Sequence, residues 1–307
     1  SYVGPITTSV SGTQQTRIRV ISDKKWGAAI VSRGADAVWD NEADWVDIMG
    51  FDISGDGSLG ILNNGSHVRI VGNRVHDIPV NPCTSDGGAG IDNGNFFASD
   101  DDIIANMVFN IGDPIRACPR VHGIYHSNLG GHIWNNIAFH NESGGIHLWH
   151  APTWVTVANN LSFLNGKAGI ILGAGDAPGG VVADHNLVVN NVLLYNGTAN
   201  AGWAIEELGL TGPANLYSNN LIFANAGPIV LLTGVQQDTV SAGPLFVNFQ
   251  ANGTGDYRPA PSSPLIRTGT TQGAPSQDAN GAPRPAGANP DIGPFQSGSV
   301  PARWPWM

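Results

Sequence analysis

Histidine is spread unevenly along this chain. Six of the nine, His122, His126, His132, His140, His147 and His150, fall between residues 122 and 150, with Tyr125 and Trp149 among them. Only five Lys or Arg lie between residues 67 and 240, and three of those, Arg116, Arg120 and Lys167, flank the same stretch. Imidazole exchanges protons near neutrality and a phenol only near pH 10, while guanidinium clamps carboxylates. Such a set suits proton transfer beside an anionic group. Arg120 or Arg116 would neutralise the anion, His147 would take the proton, and Tyr125 would return one. Trp149 offers an aromatic platform, and Asp92, His122, His150, Lys167 and Glu206 complete a candidate binding surface. A plainer reading makes Tyr125 and His147 an exposed polar ladder. His126 falls on the inward parity as a bonded core residue, and His132 and His140 belong to another face.

These residues can meet only if the chain repeats, and it does. One part of the unit is an apolar strand carrying Asn: IVGNRVHD (70–77), IIANMVFN (103–110), IWNNIAFHN (133–141), VANNLSFLN (157–165), VVNNVLLYN (188–196) and YSNNLIFAN (217–225). The other is a Gly/Ala-Ile strand: LGILNN (59–64), AGIDNG (89–94), HGIYHS (122–127), GGIHLW (144–149), AGIILG (168–173), WAIEEL (203–208) and GPIVLL (227–232). Steps of 33, 22, 24 and 35 residues separate Ile91, Ile124, Ile146, Ile170 and Ile205. Each unit is too short to bury its own apolar face and must stack on its neighbours. Stacked parallel strands lie about 4.8 Å apart, so equivalent residues form ladders. One outward ladder reads Asp92, Tyr125, His147, Ile171, Glu206, with small residues around Trp149 making a trough. The repeated corner residues Asn73, Asn106, Asn136, Asn160, Asn191 and Asn220 are expected to take left-handed backbone geometry and bond the next coil. This pattern predicts an all-β solenoid, a parallel β-helix of about seven to nine coils over residues 1–242. The Pro/Gly-rich residues 243–307 are expected to pack over its last coil and cover an open edge.

Composition narrows the function. The chain is 41% hydrophobic with nine Trp, against disorder, and carries a net charge of −10 without a basic cluster, against nucleic-acid binding. No apolar run is long enough for a membrane span. The two cysteines are either buried thiols or one disulfide. Cys83 and Cys118 lie in inserted loops, 78–88 and 111–121, that leave the same corner of consecutive coils. Stacking then brings them within bridging range and predicts the bond. A disulfide, with few Lys and much Asn, Gly, Thr and Ser, fits a secreted or periplasmic protein.

The segments TRIRVISDKKWGAAIV, VDIMGFDISGDGSLGILNN, HGIYHSN, GGIHLWHAP, GPLFVNFQANGTGDYRPAPSSPLI and PRPAGANPDIGPFQ follow one another along nearly the whole chain. In that order they resemble secreted bacterial right-handed parallel β-helix proteins of the pectate-lyase-like superfamily. The resemblance implies the right hand of the helix and action on a polysaccharide along one face. The expected activity is a lyase that cleaves a uronate-containing polysaccharide by β-elimination, acting as a monomer and requiring no cofactor. Calcium is the one ion with a candidate cluster, Asp100-Asp101-Asp102, which also reads as a solvated turn. One alternative is a glycoside hydrolase drawing on Asp92, Glu142, Asp176, Glu206 and Glu207, with Glu206 and Asp176 as the better pair. Another is a non-catalytic glycan-binding β-helix.

Overall fold

A computed structural model describes residues 1–80, 83, 86–116, 118–150, 152–176, 179–199 and 202–300. Three long parallel sheets of ten, nine and nine strands run the length of the molecule. Every third strand joins the same sheet, so the chain winds as the parallel β-helix that the repeat predicts. The coil number sits at the upper end of the expected range. Gly, Asn and β-branched residues interrupt each apolar run, which disfavours helix, and none occurs among the described residues.

One inward row on each sheet forms the core. Ile61, Ile91, Ile124, Ile146, Ile170 and Ile205 stack in register along the Gly-Ile sheet and are wholly buried. Ile48, Ile70, Ile103, Ile133, Val157 and Val188 do the same on the second nine-stranded sheet. At the corner between that sheet and the ten-stranded one, the six expected asparagines form a continuous buried ladder. The backbone N–H groups of Asn73, Asn106, Asn136, Asn160 and Asn191 each donate to the side-chain oxygen of the next member, at 2.8–3.0 Å. Their side-chain amides donate onward as well, and back to carbonyls such as Ile70, Ile103 and Ile133. The left-handed geometry lies one residue earlier than expected. Gly72, Ala105, Asn135, Asn159, Asn190 and Asn219 have φ between 52° and 62°, which turns the chain so that the following Asn points inward. A second ladder, Asn141, Asn165, Asn196 and Asn225, lines the next corner.

The C-terminal segment follows a different course from the one expected. The last solenoid strand is Val240–Ser241, and Phe246–Asn248 pairs antiparallel with Asp256–Pro259. The chain then runs back along the flank instead of closing the last coil. Tyr257, Leu265 and Ile292 pack with Phe139, Phe163 and Leu194, which face outward from the ten-stranded sheet. His76, Phe109, Phe139 and Phe163 stack ring on ring at 4.7–5.0 Å. That outward apolar row needs cover, and its burial draws the segment to the flank. The outer asparagines fasten it there: Asn135 donates to Gln277 O, Asn159 to Asp291 O and Gly293 O, Asn190 to Thr270 O, and Asn219 to Thr268 O.

Candidate active site

The Gly-Ile sheet sets Asp92, Tyr125, His147, Ile171 and Glu206 side by side on successive rungs, the ladder that the repeat predicts. Its first three members border a cavity of about 490 Å³. Arg120, His122, Trp149, His150, Asp86 and Asp176 also line it. One wall comes from two loops joined by the expected disulfide, Cys83–Cys118, with a Cα separation of 5.9 Å. Arg120 follows that bridge by two residues and is exposed.

His122 reaches the cavity through a local break in alternation. It lies three residues before Tyr125, so strict two-residue alternation would put them on opposite faces. Gly123 lets both face the same side. A Cβ on Gly123 would lie 2.6 Å from Asn141 Nδ2 and from Gly145 O, so this residue faces inward together with Ile124, and only glycine fits. The consecutive inward pair turns His122 out beside Tyr125, their rings 5.6 Å apart.

His147 is more enclosed than an outward ladder residue should be, at 8% exposure. Its Nδ1 lies 2.8 Å from His122 Nε2. The Gly144 N–H donates to the other nitrogen of His122, Nδ1, at 3.3 Å. His147 Nε2 is buried and has no partner among the described residues. Burial holds both rings neutral: the pKa of His122 is pushed down to about 3 and that of His147 well below its ordinary value, with Lys167 adding to each. The Tyr125 ring packs edge-on to His147 at 5.4 Å, and burial raises its phenol far above the ordinary range. Asp92 presents a carboxyl oxygen, Oδ1, without a partner, and burial pushes its pKa up to about 7. Trp149 lies over Gly173, Gly175 and Gly209, where any side chain would strike its ring, so it both packs on the sheet and edges the cavity.

Three residues predicted for the site are engaged elsewhere. Arg116 forms an ion pair with Glu142, which is wholly buried, and also donates to Val80 O. Lys167 Nζ lies 3.0 Å from Glu206 Oε2, two rungs beyond His147, and neither borders the cavity. Of the carboxyl pair expected for hydrolysis, Asp176 bonds His150 and lines the cavity, while Glu206 pairs with Lys167 and does not border it. Glu207 is spent on the fold, accepting from Tyr217 Oη and from the N–H groups of Leu232, Thr233 and Gly234. The aspartate triplet diverges. Asp101 is buried and accepts from Val68 N and Asn128 Nδ2, Asp102 accepts from His132, and Asp100 is exposed. It does not form the oxygen cage that calcium needs, and no three described His, Cys, Asp or Glu side chains converge as a ligand set. The reading from sequence missed Asp86 as a lining residue, and only its place beside Cys83 could have signalled it.

Among solved structures, the chain is similar to pectate lyase Pel9A, with a TM-score of 0.61 and 16% identity over 95% of this chain and 82% of that one. It is also similar to an alginate lyase from Paenibacillus sp. str. FPU-7, with a TM-score of 0.52 and 15% identity over 78% of this chain and 89% of that one. At these identities the likeness shows the fold, a parallel β-helix common to polysaccharide lyases. No family model matches the sequence. The search of curated proteins gave no match.

Proposed function

We propose that the protein is a secreted lyase that cleaves a uronate-containing polysaccharide by β-elimination in the cavity on the Gly-Ile sheet. One observation carries this reading. Arg120 is the one Lys or Arg among the described lining residues, and it shares the cavity with Tyr125 and with two buried atoms that have no partner there, Asp92 Oδ1 and His147 Nε2. In β-elimination the carbon beside the carboxylate loses a proton. Its electron pair forms a double bond to the neighbouring carbon, and the glycosidic oxygen leaves with the broken bond's pair. A guanidinium on the carboxylate stabilises the charge that builds there. Tyr125, held protonated by burial, supplies the leaving oxygen with its proton. Trp149 offers an aromatic edge against a sugar ring. The two similar structures, named for pectate and alginate, are both lyases on this fold, and the disulfide fits an oxidising compartment.

A screen of acidic and neutral polysaccharides tests the reading. A lyase yields an unsaturated uronate that absorbs in the near ultraviolet. New reducing ends without that absorbance would replace the proposal with hydrolysis, and binding without either product would replace it with a glycan-binding role.

A further inference from the structure

We infer that His122 is a positioning residue: it fixes the proton of the neutral His147 ring on Nε2, so His147 offers the cavity a hydrogen-bond donor and the proton-accepting role falls to Asp92. The argument follows one chain of bonds. A backbone N–H can only donate, so the Gly144 N–H makes His122 Nδ1 an acceptor. The single proton of a neutral His122 therefore sits on Nε2 and points at His147 Nδ1, 2.8 Å away. That nitrogen must accept, which leaves the His147 proton on Nε2, the atom without a partner. The reverse order would set two N–H groups against each other at Gly144.

The surroundings favour two neutral rings. Lys167 and His150 are the cationic or protonatable groups near His147, Tyr125 and Trp149 pack against it, and Asp92 and Asp176 border the same cavity. No carboxylate bonds either ring of the pair among the described residues. A carboxylate behind His147 would stabilise an imidazolium, whereas a second imidazole fixes the tautomer without adding charge.

The catalytic consequence rests on the lyase reading. An N–H nitrogen has no lone pair with which to take a proton, so His147 holds the substrate carboxylate alongside Arg120. The Asp92 carboxylate takes the proton from carbon and the leaving oxygen takes the phenolic proton of Tyr125. Water then removes the proton from Asp92 and restores the one on Tyr125.

Nitrogen-15 spectra of the histidine-labelled wild-type protein near pH 7 test the tautomer without any substitution. The expected result is two neutral rings, each with its proton on Nε2. A His147 proton on Nδ1, or a charged ring, would overturn the inference. His122→Phe should let His147 relax to a mixture of tautomers, and an unchanged His147 signal in a folded variant would count against the positioning role. In the lyase assay, His147→Gln, which keeps a donor, should lower turnover roughly tenfold, and Asp92→Asn at least about a thousandfold. The opposite ranking would restore His147 as the base. If no polymer yields unsaturated product, the lyase reading and the Asp92 role fall together, and the nitrogen spectrum still decides the tautomer.

Discussion

The corner that carries the inner asparagine ladder and the face that carries the cavity are built from the same coils, yet they treat polar atoms in opposite ways. Along the corner, six coils place the same residue at the same point, and the first five amides each find a partner in the next coil. Along the cavity face, successive rungs carry Asp92, Tyr125, His147, Ile171 and Glu206, no two alike. Unlike neighbours cannot satisfy one another by repetition, and buried atoms without partners remain at Asp92 Oδ1 and His147 Nε2. An unsatisfied buried polar group costs about 1–3 kcal/mol. In a stack like this, sameness from coil to coil stabilises the fold, and departure from it prepares groups for a ligand.

Substitutions on the two regions should therefore separate activity from stability. Beside Asp92→Asn, the largest effect is expected at Tyr125→Phe, which should lower lyase turnover by roughly 10²–10⁴ while the melting temperature moves little. A variant that lost stability and kept turnover would erase the contrast. Asn160→Ala should do the reverse. It strips the acceptor from Asn136 N and Nδ2 and the donor to Ile133 O, all buried, and should destabilise by about 3–4 kcal/mol in a denaturant titration with activity per folded molecule retained. Paired Cys83→Ser and Cys118→Ser substitutions stand between the two. By loop-closure entropy over a separation of 35 residues they should cost about 4 kcal/mol and, by loosening the wall that carries Arg120, should also raise KM.

The smallest effect is a dependence on pH. With its pKa raised to about 7 when folded, Asp92 holds its proton longer in the native state than in the unfolded one. Wild-type stability should therefore fall, relative to Asp92→Asn, as pH rises from about 4 to 7. His122 and His147 act in the other direction. Their lowered pKa values mean that stability is lost as pH falls below about 6.5, when the unfolded chain gains protons that the buried rings refuse. Parallel melting curves for wild type and Asp92→Asn across that range would expose a wrong sign.

Much of this was legible in the sequence because repetition can be read directly. The ladder asparagines, the stacked isoleucines and the Tyr125–His147 register follow from aligning the chain with itself. Features that depend on backbone direction or side-chain reach were not legible. Gly123 belongs to the repeated Gly-Ile motif, but that it faces inward beside Ile124 and so turns His122 outward is not given by strict alternation. Arg116 meets Glu142, and Glu206 meets Lys167, through side-chain reach across loops and rungs. Scarce cations marked the stretch that borders the cavity, but composition could not tell the exposed Arg120 from Arg116, which pairs with Glu142. The course of residues 243–300 depended on which flank left aromatic rings uncovered, a property of the folded surface.

The outer asparagines also bear on how freely the molecule could change length. Solenoids ordinarily gain or lose a repeat at little cost, because each unit contacts only its neighbours. Here Asn135, Asn159, Asn190 and Asn219, on four consecutive coils, hold the C-terminal segment by its carbonyls, at Gln277, Asp291, Thr270 and Thr268. Removing a coil between them would shift every later donor by about 4.8 Å, beyond hydrogen-bond reach of its acceptor. The equivalent positions in the two preceding coils, Gly72 and Ala105, carry no side-chain amide, so the constraint from this row of bonds begins at Asn135. The clasp acts as a ruler, fixing the spacing of the coils from the one that carries Tyr125 and Asn135 to the one that ends at Asn219.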